Sequence, residues 1–152
     1  MIAITSFTVK KSEIDKMGIV HHSMYPLWFE EGRRDYFHKA GIPCSCINSL
    51  GYYLPLSEME CKFKSPAKSG DEIAVLTAIT FMSCVKLIFE YKVLNKADGR
   101  ILAVGKTIHA WTSKNIKPLN IEKSAPQIYE LLKSSAAKKG ILNKKCGDMC
   151  KR

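Results

Sequence analysis

Between residues 22 and 41 the apolar positions follow the period of an α-helix. The residues of one face recur at i, i+3, i+4, i+7, i+11 and i+15. They are Tyr25, Trp28, Phe29, Gly32, Tyr36 and Ala40. Ser23 is the candidate N-cap and Pro26 fits the first turn, so the helix begins within residues 22–25. Gly41 followed by Pro43 ends it. Because glycine costs roughly 1 kcal/mol against alanine inside a helix, Gly32 predicts that another backbone packs closely there.

Five other runs have the β-branched and aromatic composition of strands, with turn residues between them. They cover residues 3–11, 52–64, 72–83, 85–95 and 100–113. A loop is predicted over 42–51, and a terminal amphipathic helix is predicted over 122–137 from Ile128, Leu131, Leu132 and Ala136. The order is one strand, one helix and a meander of four strands. It predicts an α+β fold in which a five-stranded antiparallel sheet covers one long helix.

Length and composition favour a single globular domain followed by a basic tail. With 152 residues, of which 46% are hydrophobic and 25% charged, the chain has the composition of one folded domain, which we assign to residues 1–137. Residues 138–152 hold six Lys/Arg and one Asp, and so contribute half of the net charge of +10. We expect this tail to be solvated and dispensable for catalysis.

The sequence does not favour a membrane, a nucleic acid or a metal as partner. It shows no basic leader before a short apolar run and no apolar stretch of about 18 residues, so we expect a cytoplasmic protein without membrane insertion. The basic residues before the tail are scattered and match no RNA-binding consensus. The cysteines are expected as reduced thiols, and Cys44-x-Cys46 and Cys146-x-x-x-Cys150 are each only half a zinc site.

Residues 12–25 form the segment in which we expect the chemistry. Asp15 precedes Gly18, which permits unusual backbone dihedrals, and His22 lies at the predicted helix start. A carboxylate therefore lies just before a helix N-terminus, whose unpaired N–H groups polarise a carbonyl or hold an anion. Two plainer interpretations stay open: Asp15 could only cap a turn, and His22 could only bond to the backbone at the helix start.

The same segment carries a recognisable pattern, Asp15-Lys-Met-Gly18-Ile-Val20-x-His22-x-x-Tyr25, followed by an aromatic helix with Glu30, Glu31 and Arg34. This pattern resembles the signature of the 4-hydroxybenzoyl-CoA thioesterase family, which are hotdog-fold acyl-CoA thioesterases. The histidine makes it similar to the Tol-Pal-associated branch. Weaker matches at 65–71, 103–106 and 117–119 extend the resemblance over about residues 5–133. The branch has a tyrosine four positions before the acid, where this chain has Lys11.

The resemblance implies a hotdog fold and hydrolysis of a thioester to a free acid and a thiol. Asp15 would attack the thioester carbonyl or activate the water that does, while His22 has an auxiliary role. A backbone N–H near His22 would polarise the carbonyl. No cofactor is implied beyond coenzyme A as part of the substrate. The substrate or coenzyme A contacts that the resemblance assigns are Gly18, Val20, Tyr25, Lys86 and Lys117.

The resemblance also implies a homodimer or homotetramer, because relatives of this fold join two sheets edge to edge with the active site at the junction. Either Glu30 or Glu31 could face a neighbouring active site, or both could simply complement the helix dipole. Two other functions stay open. The chain could release a product from an acyl carrier protein, or bind acyl thioesters without turnover. The tail could instead make it a basic interaction module for nucleic acid or an anionic membrane.

Overall fold

The computed structural model describes residues 1–143, in which one long helix packs on a five-stranded antiparallel sheet. The strands are β1 (Ala3–Thr8), β2 (Leu56–Phe63), β3 (Glu72–Met82), β4 (Lys86–Asn95) and β5 (Ile101–Ala110). The helices are α1 (Met24–Lys39), α2 (Cys44–Ser49), α3 (Ile121–Ser124) and α4 (Pro126–Ser135), with 3₁₀ turns at Lys11–Glu13 and Ile141–Asn143. The predicted α+β fold and its five strands are confirmed.

The strands are ordered β1-β3-β4-β5-β2 in the sheet, and every neighbouring pair is antiparallel. The predicted meander is therefore wrong for β2, which pairs with β5 and not with β3, its successor in sequence. The reason is that β3 has both of its edges occupied, one by β1 and the other by β4. Residues 64–71 carry the chain across the sheet. As a result, β1 and β2 are the edge strands.

α1 packs its predicted face on the sheet. Its buried residues are Tyr25, Trp28, Phe29, Gly32, Tyr36 and Phe37. A Cβ atom at Gly32 would overlap the Thr77 hydroxyl and would lie 3.2 Å from a Val75 methyl group. The close neighbours of Gly32 are thus side chains of β3, and the predicted backbone contact is wrong. The physical reason is that β3 turns short β-branched side chains toward the helix, and these reach the glycine before the strand backbone can.

The ends of α1 follow the prediction except for the capping hydrogen bond. The helix begins at Met24, but Ser23 has helical dihedrals and no side-chain capping bond. Its hydroxyl lies 2.7 Å from His21 Nδ1 instead, so the neighbouring imidazole ring competes for it. At the other end Gly41 has a φ of +87°, and its N–H donates to His38 O at 3.0 Å. The predicted glycine stop is confirmed.

The predicted loop over residues 42–51 contains a short helix, α2, so this prediction is wrong. Pro43 immediately precedes the helix, and Cys46 N–H donates to Pro43 O at 2.9 Å. The buried Ile47 anchors α2 in the main core. The polar composition of this segment suggested a loop. The packing of the Ile47 side chain in the core nevertheless stabilises a helix of about one and a half turns.

The predicted terminal helix is divided into α3 and α4 at Ala125. Pro126 begins α4, because a proline has no N–H to continue the hydrogen bonds of α3. Ile128 and Leu132 are buried as predicted, but Leu131 is 48% exposed. The buried face of α4 consists of Ile128, Tyr129 and Leu132, which leaves Leu131 on the solvent side.

The first residues of the predicted tail pack on the outer face of the sheet. Leu142 is 3% exposed and lies in a small apolar cluster with Ala74 and Leu76, whose positions alternate with the helix-facing residues of β3. Residues 144–152 lie outside the described residues. The domain boundary at residue 137 stays a prediction, and Leu142 provides a way to test it.

Two truncations should separate the packed part of the tail from the rest. Ending the chain after Asn143 is expected to change the free energy of unfolding by only about 0.5 kcal/mol, because the removed residues are mostly polar. Ending it after Ala137 also removes the buried Leu142, which should cost about 2–4 kcal/mol. Leu142→Ala in the full chain is the matched control. Urea unfolding followed by circular dichroism measures all three variants, and equal stability of the two truncations would contradict the prediction. Turnover below the unfolding transition is expected to stay close to that of the full chain.

Candidate active site

Asp15 lies in a tight turn between the Lys11–Glu13 turn and α1. Its Oδ1 accepts hydrogen bonds from the Met17 N–H at 2.8 Å and the Ile19 N–H at 3.4 Å. Gly18 has a φ of +78°, which glycine adopts without strain. The turn-capping interpretation of Asp15 is thus correct for Oδ1. Within residues 1–143, no hydrogen-bond donor is bound to Oδ2, so this oxygen is available for chemistry.

The Asp15 turn is anchored beside the N-terminus of α1. Ile14 and Val20 form an antiparallel bridge, and the His21 N–H donates to Glu13 O at 2.9 Å. The buried Val20 also donates its N–H to Ala67 O at 2.9 Å, in the loop between β2 and β3. Val20 therefore holds the Asp15 turn against the loop between β2 and β3, which is a structural role. The contact with a substrate that the resemblance assigns to Val20 stays a prediction.

An unbonded backbone N–H lies at the start of α1. The Met24 N–H donates to His21 O at 3.0 Å, and the Ser23 N–H donates to His21 Nδ1 at 3.2 Å. The Tyr25 N–H donates to His22 O at 3.3 Å. The His22 N–H has no acceptor in the part of the chain that the structure describes, so it is the candidate donor to a carbonyl oxygen. The exposed His22 ring lies 4.2 Å from the His21 ring, centroid to centroid.

Tyr25 forms part of the wall behind this turn. Its ring centroid lies 4.7 Å from that of Trp28 and 4.9 Å from that of Phe63. Burial raises the pKa of the Tyr25 phenol to about 12, and the nearby Cys61 sulfur adds to the effect. The phenol is therefore protonated at neutral pH. Because Phe63 is the last residue of β2, the same contact puts the N-terminus of α1 at the Phe63 end of that strand.

The two predicted coenzyme A contacts lie at the other end of the sheet. Lys86 begins β4 opposite Ala110, the last residue of β5, and the exposed Lys117 follows β5 in the chain. Phe63 pairs with Ala103 near the start of β5, so the Asp15 end of the sheet is about 25 Å from Ala110 along the strand. Within one chain the structure does not bring either lysine to Asp15. The predicted residues that it does group together are Asp15, Gly18, Val20, His22 and Tyr25.

The other charged candidates lie in exposed settings. Lys11, which occupies the position of the branch tyrosine, is exposed in the Lys11–Glu13 turn. Glu30 and Glu31 both pair with Arg34 on the exposed face of α1, at 3.4 and 2.7 Å. Such pairs contribute about 0.3–0.5 kcal/mol each. Both carboxylates are thus engaged in surface pairs rather than directed at the Asp15 turn.

A buried chain of hydrogen bonds, which sequence reasoning missed, crosses the sheet beside α1. Arg33 Nη1 donates to Tyr91 Oη at 3.0 Å, and Tyr91 Oη lies 2.7 Å from Thr107 Oγ1. Thr107 Oγ1 lies 2.9 Å from His109 Nε2, while His109 Nδ1 lies 3.0 Å from Leu54 O. The available signal was strand alternation, which puts Thr107 and His109 on the same face of β5. The Arg33 contact had no signal, because it joins residues distant in sequence.

The hydrogen-bond chain fixes the tautomer of His109. A carbonyl oxygen only accepts, so Nδ1 carries the hydrogen and Nε2 accepts from the Thr107 hydroxyl. Burial lowers the pKa of His109 to about 4, although the bond to Leu54 O opposes this, and the Arg33 charge lowers the pKa further. The imidazole is therefore neutral at pH 7. Arg33, Leu54 and His109 also line a cavity of about 1360 Å³ between α1, α2 and the end of β5.

Metal ligation and membrane insertion were assessed over residues 1–143. Among these residues, no three His, Cys, Asp or Glu side chains converge as a metal site requires. The thiols of Cys44, Cys46, Cys61 and Cys84 are free, and the predicted pair Cys146 and Cys150 lies outside the described residues. No helix in the same range is long and apolar enough to cross a bilayer.

Comparisons with known proteins relate this arrangement to thioesterases. Residues 9–132 match the family described as the thioesterase-like superfamily. The chain is 28% identical over 116 residues to the acyl-acyl carrier protein thioesterase ATL3 of Arabidopsis thaliana, a match that covers 76% of this chain and only 61% of the plant protein. It is 29% identical over 119 residues to the putative acyl-CoA thioesterase YneP of Bacillus subtilis, covering 78% of this chain and 86% of that protein. The crystal structure of the hypothetical protein TT1821 from Thermus thermophilus has a TM-score of 0.82 at 30% identity, and the match covers 91% of this chain and 100% of that one.

Proposed function

We propose, because the chain belongs to the thioesterase-like superfamily, that it hydrolyses the thioester bond of an acyl- or aryl-CoA. The observation that carries this proposal is that one short segment contains a carboxylate oxygen, Asp15 Oδ2, and a backbone N–H, that of His22 at the start of α1, neither of which is hydrogen-bonded to any of residues 1–143. Thioester hydrolysis needs both features. The carbonyl carbon needs an electron-pair donor or an activated water, and the carbonyl oxygen needs a hydrogen-bond donor as it becomes negative.

Each group has one role in the reaction. The His22 N–H donates to the thioester carbonyl oxygen, and the positive end of the α1 dipole adds to the stabilisation of the developing charge. Asp15 Oδ2 either attacks the carbonyl carbon, giving an anhydride that water cleaves, or removes a proton from the water that attacks. In both routes a C–O bond forms, the C–S bond breaks, and the coenzyme A sulfur gains a proton. The exposed His22 ring assists by orienting the water.

The active form in this proposal is a homodimer joined along β2. This edge strand has three apolar side chains on its helix-facing side that are largely exposed. Leu56 is 49% exposed, Met59 is 42% exposed and Phe63 is 54% exposed. Proteins usually cover an unpaired edge and an exposed apolar row of this kind. A second copy fits, because two β2 strands related by a two-fold axis pair antiparallel and continue the sheet. A homotetramer would be two such dimers.

The dimer gives the predicted coenzyme A contacts a role. Antiparallel pairing puts the Phe63 end of one β2, which lies beside the Asp15 turn, next to the Leu56 end of the other. Lys86 and Lys117 lie toward that second end of the sheet. The separation of about 25 Å within one chain along β5 therefore does not argue against these lysines as phosphate contacts, since they would serve the thioester site of the second copy.

Thiol release from a panel of substrates tests the proposed function. Straight-chain acyl-CoAs of several lengths and 4-hydroxybenzoyl-CoA, the substrate that gives the resembled family its name, are incubated with the protein, and free coenzyme A is measured with a thiol reagent. We expect turnover of at least one substrate well above that of a folded Asp15→Asn variant. Failure of every member of the panel to exceed that background would overturn the proposal.

A second substrate class is the same acyl group carried by an acyl carrier protein. The Arabidopsis relative is named for this activity, and the reaction at Asp15 is the same for either thiol carrier. The panel therefore includes one acyl group on both carriers. A kcat/KM higher for the carrier protein by about tenfold or more would favour this second class. The cytoplasmic location expected from the sequence stays a prediction in both cases.

A further inference from the structure

Arg33 presents its positive charge to the cavity between α1, α2 and the end of β5, and forms no ion pair with any described residue. The carboxylates of α1 line the same cavity, but each of them is paired with another cation. Glu30 and Glu31 pair with Arg34. Asp35 pairs with the lysine one turn later, at 2.7 Å. No carboxylate of residues 1–143 lies within ion-pair distance of the half-buried Arg33, so its guanidinium is available to pair with an anionic group that enters the cavity.

The buried hydrogen-bond chain holds Arg33 in position without neutralising it. The Thr107 hydroxyl donates to His109 Nε2, so it accepts from the Tyr91 hydroxyl. Tyr91 Oη in turn accepts from Arg33. The Tyr91 and Thr107 hydroxyls have one hydrogen each, and both hydrogens are used within this series of hydrogen bonds. The Arg33 guanidinium has five N–H groups and uses one of them to bond Tyr91. Of the residues in this series of hydrogen bonds, Arg33 is therefore the one that can still donate to a ligand.

The cavity wall is mixed in character, because the paired carboxylates Glu30, Glu31 and Asp35 line it together with further polar groups and an apolar part. Thr112 is 4% exposed, and its hydroxyl has no hydrogen-bond partner among the described residues. Lys114 follows it along the same wall. The apolar part of the wall includes Phe37, Ile47 and Phe89. This combination suits a ligand with an apolar body and a charged or polar end.

In the proposed dimer the cavity of one chain lies next to the thioester site of the other. Leu54 and Pro55 of the cavity wall directly precede Leu56, the first residue of β2. Antiparallel pairing of two β2 strands puts this end beside the Phe63 end of the second copy, where the Asp15 turn lies. An acyl group whose thioester is held at that turn therefore extends toward the cavity.

We propose that the cavity receives the far end of an acyl group that carries a carboxylate there, and that Arg33 binds this carboxylate. The substrate class is then the coenzyme A monothioester of a dicarboxylic acid. The inference rests on the proposed function, because it names the acyl group of the same site. The planar guanidinium matches the two oxygens of a carboxylate with two parallel N–H groups. Arg33 determines the specificity for the acyl group, and Tyr91 positions the Arg33 side chain.

Substrate pairs that differ only in the terminal group test Arg33. Adipyl-CoA is compared with hexanoyl-CoA, and suberyl-CoA with octanoyl-CoA, as ratios of kcat/KM. The wild type should favour the dicarboxylic member, and Arg33→Gln should lower each ratio by about 10- to 10²-fold, the effect of losing a charge-assisted hydrogen-bonded pair. Arg33→Lys keeps the charge but loses the planar fork, so its ratio should be intermediate. Arg100→Gln, in the exposed β4–β5 turn outside the cavity wall, is the matched control and should retain the wild-type ratio.

A binding measurement separates this inference from the proposed function. Adipate alone is expected to raise the melting temperature of the wild type and of Arg100→Gln, but not that of Arg33→Gln. If neutral acyl-CoAs are hydrolysed and the ratios do not favour dicarboxylic members, or do not change in Arg33→Gln, the inference is wrong and the proposed function stands. If no substrate is hydrolysed, the proposed function fails. In that case an Arg33-dependent shift by adipate still supports the carboxylate site, and the lack of a shift overturns it.

The competing occupant of the Arg33 site is a carboxylate of the second copy. In that case Arg33→Gln would convert the dimer to a monomer in sedimentation experiments. It would leave the substrate ratio unchanged at protein concentrations high enough to restore the dimer. This result would overturn the inference. A dimer that persists in Arg33→Gln while the ratio falls would support it.

Discussion

Replacing Asp15 by asparagine is expected to lower kcat by roughly 10²-fold or more, with KM little changed. Asparagine has nearly the shape of aspartate, and its side-chain oxygen still accepts the Met17 and Ile19 N–H groups, so the turn should survive. The amide neither attacks a carbonyl carbon nor accepts a proton from water at neutral pH. A loss confined to the chemical step appears in kcat, which steady-state thiol release measures.

The matched control for turn capping is Asp98→Asn. Asp98 Oδ1 accepts the Arg100 N–H at 2.9 Å, two residues further on, which is the arrangement that Asp15 makes with Met17. This exposed aspartate in the β4–β5 turn should be replaceable without loss of turnover. His22→Ala should cost less than the Asp15 substitution, because the backbone N–H survives it. Near wild-type turnover by Asp15→Asn would move the search to Glu30, Glu31 and His22.

Met59→Glu is expected to raise the Kd of the homodimer by about 10²-fold or more, since each copy would carry an unpaired carboxylate into the joined helix-facing side. Met59 is 42% exposed in the single chain, so the fold of the monomer should tolerate the change. Turnover per chain should then fall at protein concentrations where the dimer dissociates, because the proposed site uses residues from both copies. Sedimentation equilibrium and activity across a concentration series measure the two effects together.

The control for this prediction lies on the other face of the same strand. Lys62 is exposed and pairs with Glu60 at 3.2 Å. Lys62→Gln removes a charge from β2 without changing its helix-facing side, and should leave the dimer and its turnover unchanged. A Met59→Glu monomer with full specific activity would show that each chain carries a complete site.

The fold could be predicted because its main signals are local. The spacing from Tyr25 to Tyr36 marks the buried face of α1, and alternation with turn residues marks the strands. The hotdog fold expected from the resemblance is confirmed by the structure and its relatives. The pattern around Asp15 correctly indicated a thioesterase-like family. The 4-hydroxybenzoyl-CoA branch, and the roles of the individual site residues, stay predictions.

Part of the candidate site could not be predicted, because its residues meet only in the folded chain. Arg33, Tyr91 and His109 come from three different elements, and no spacing in the sequence records that their side chains form one hydrogen-bond chain. The family resemblance likewise assigned Lys86 and Lys117 as expected coenzyme A contacts, without indicating that they lie at the opposite end of the sheet from Asp15.

The sequence by itself determined α1 and the five strands, the unusual backbone dihedrals at Gly18 and the presence of a carboxylate just before a helix N-terminus. These features depend on neighbours within a few residues, where spacing and backbone preferences decide the conformation. Only the tertiary structure decided that β2 lies at the far edge beside β5, that side chains of β3 fill the space at Gly32, and that Arg33 faces a cavity without a carboxylate partner among residues 1–143. Each of these depends on which distant segments pack together, and packing is a property of the whole core rather than of any one segment.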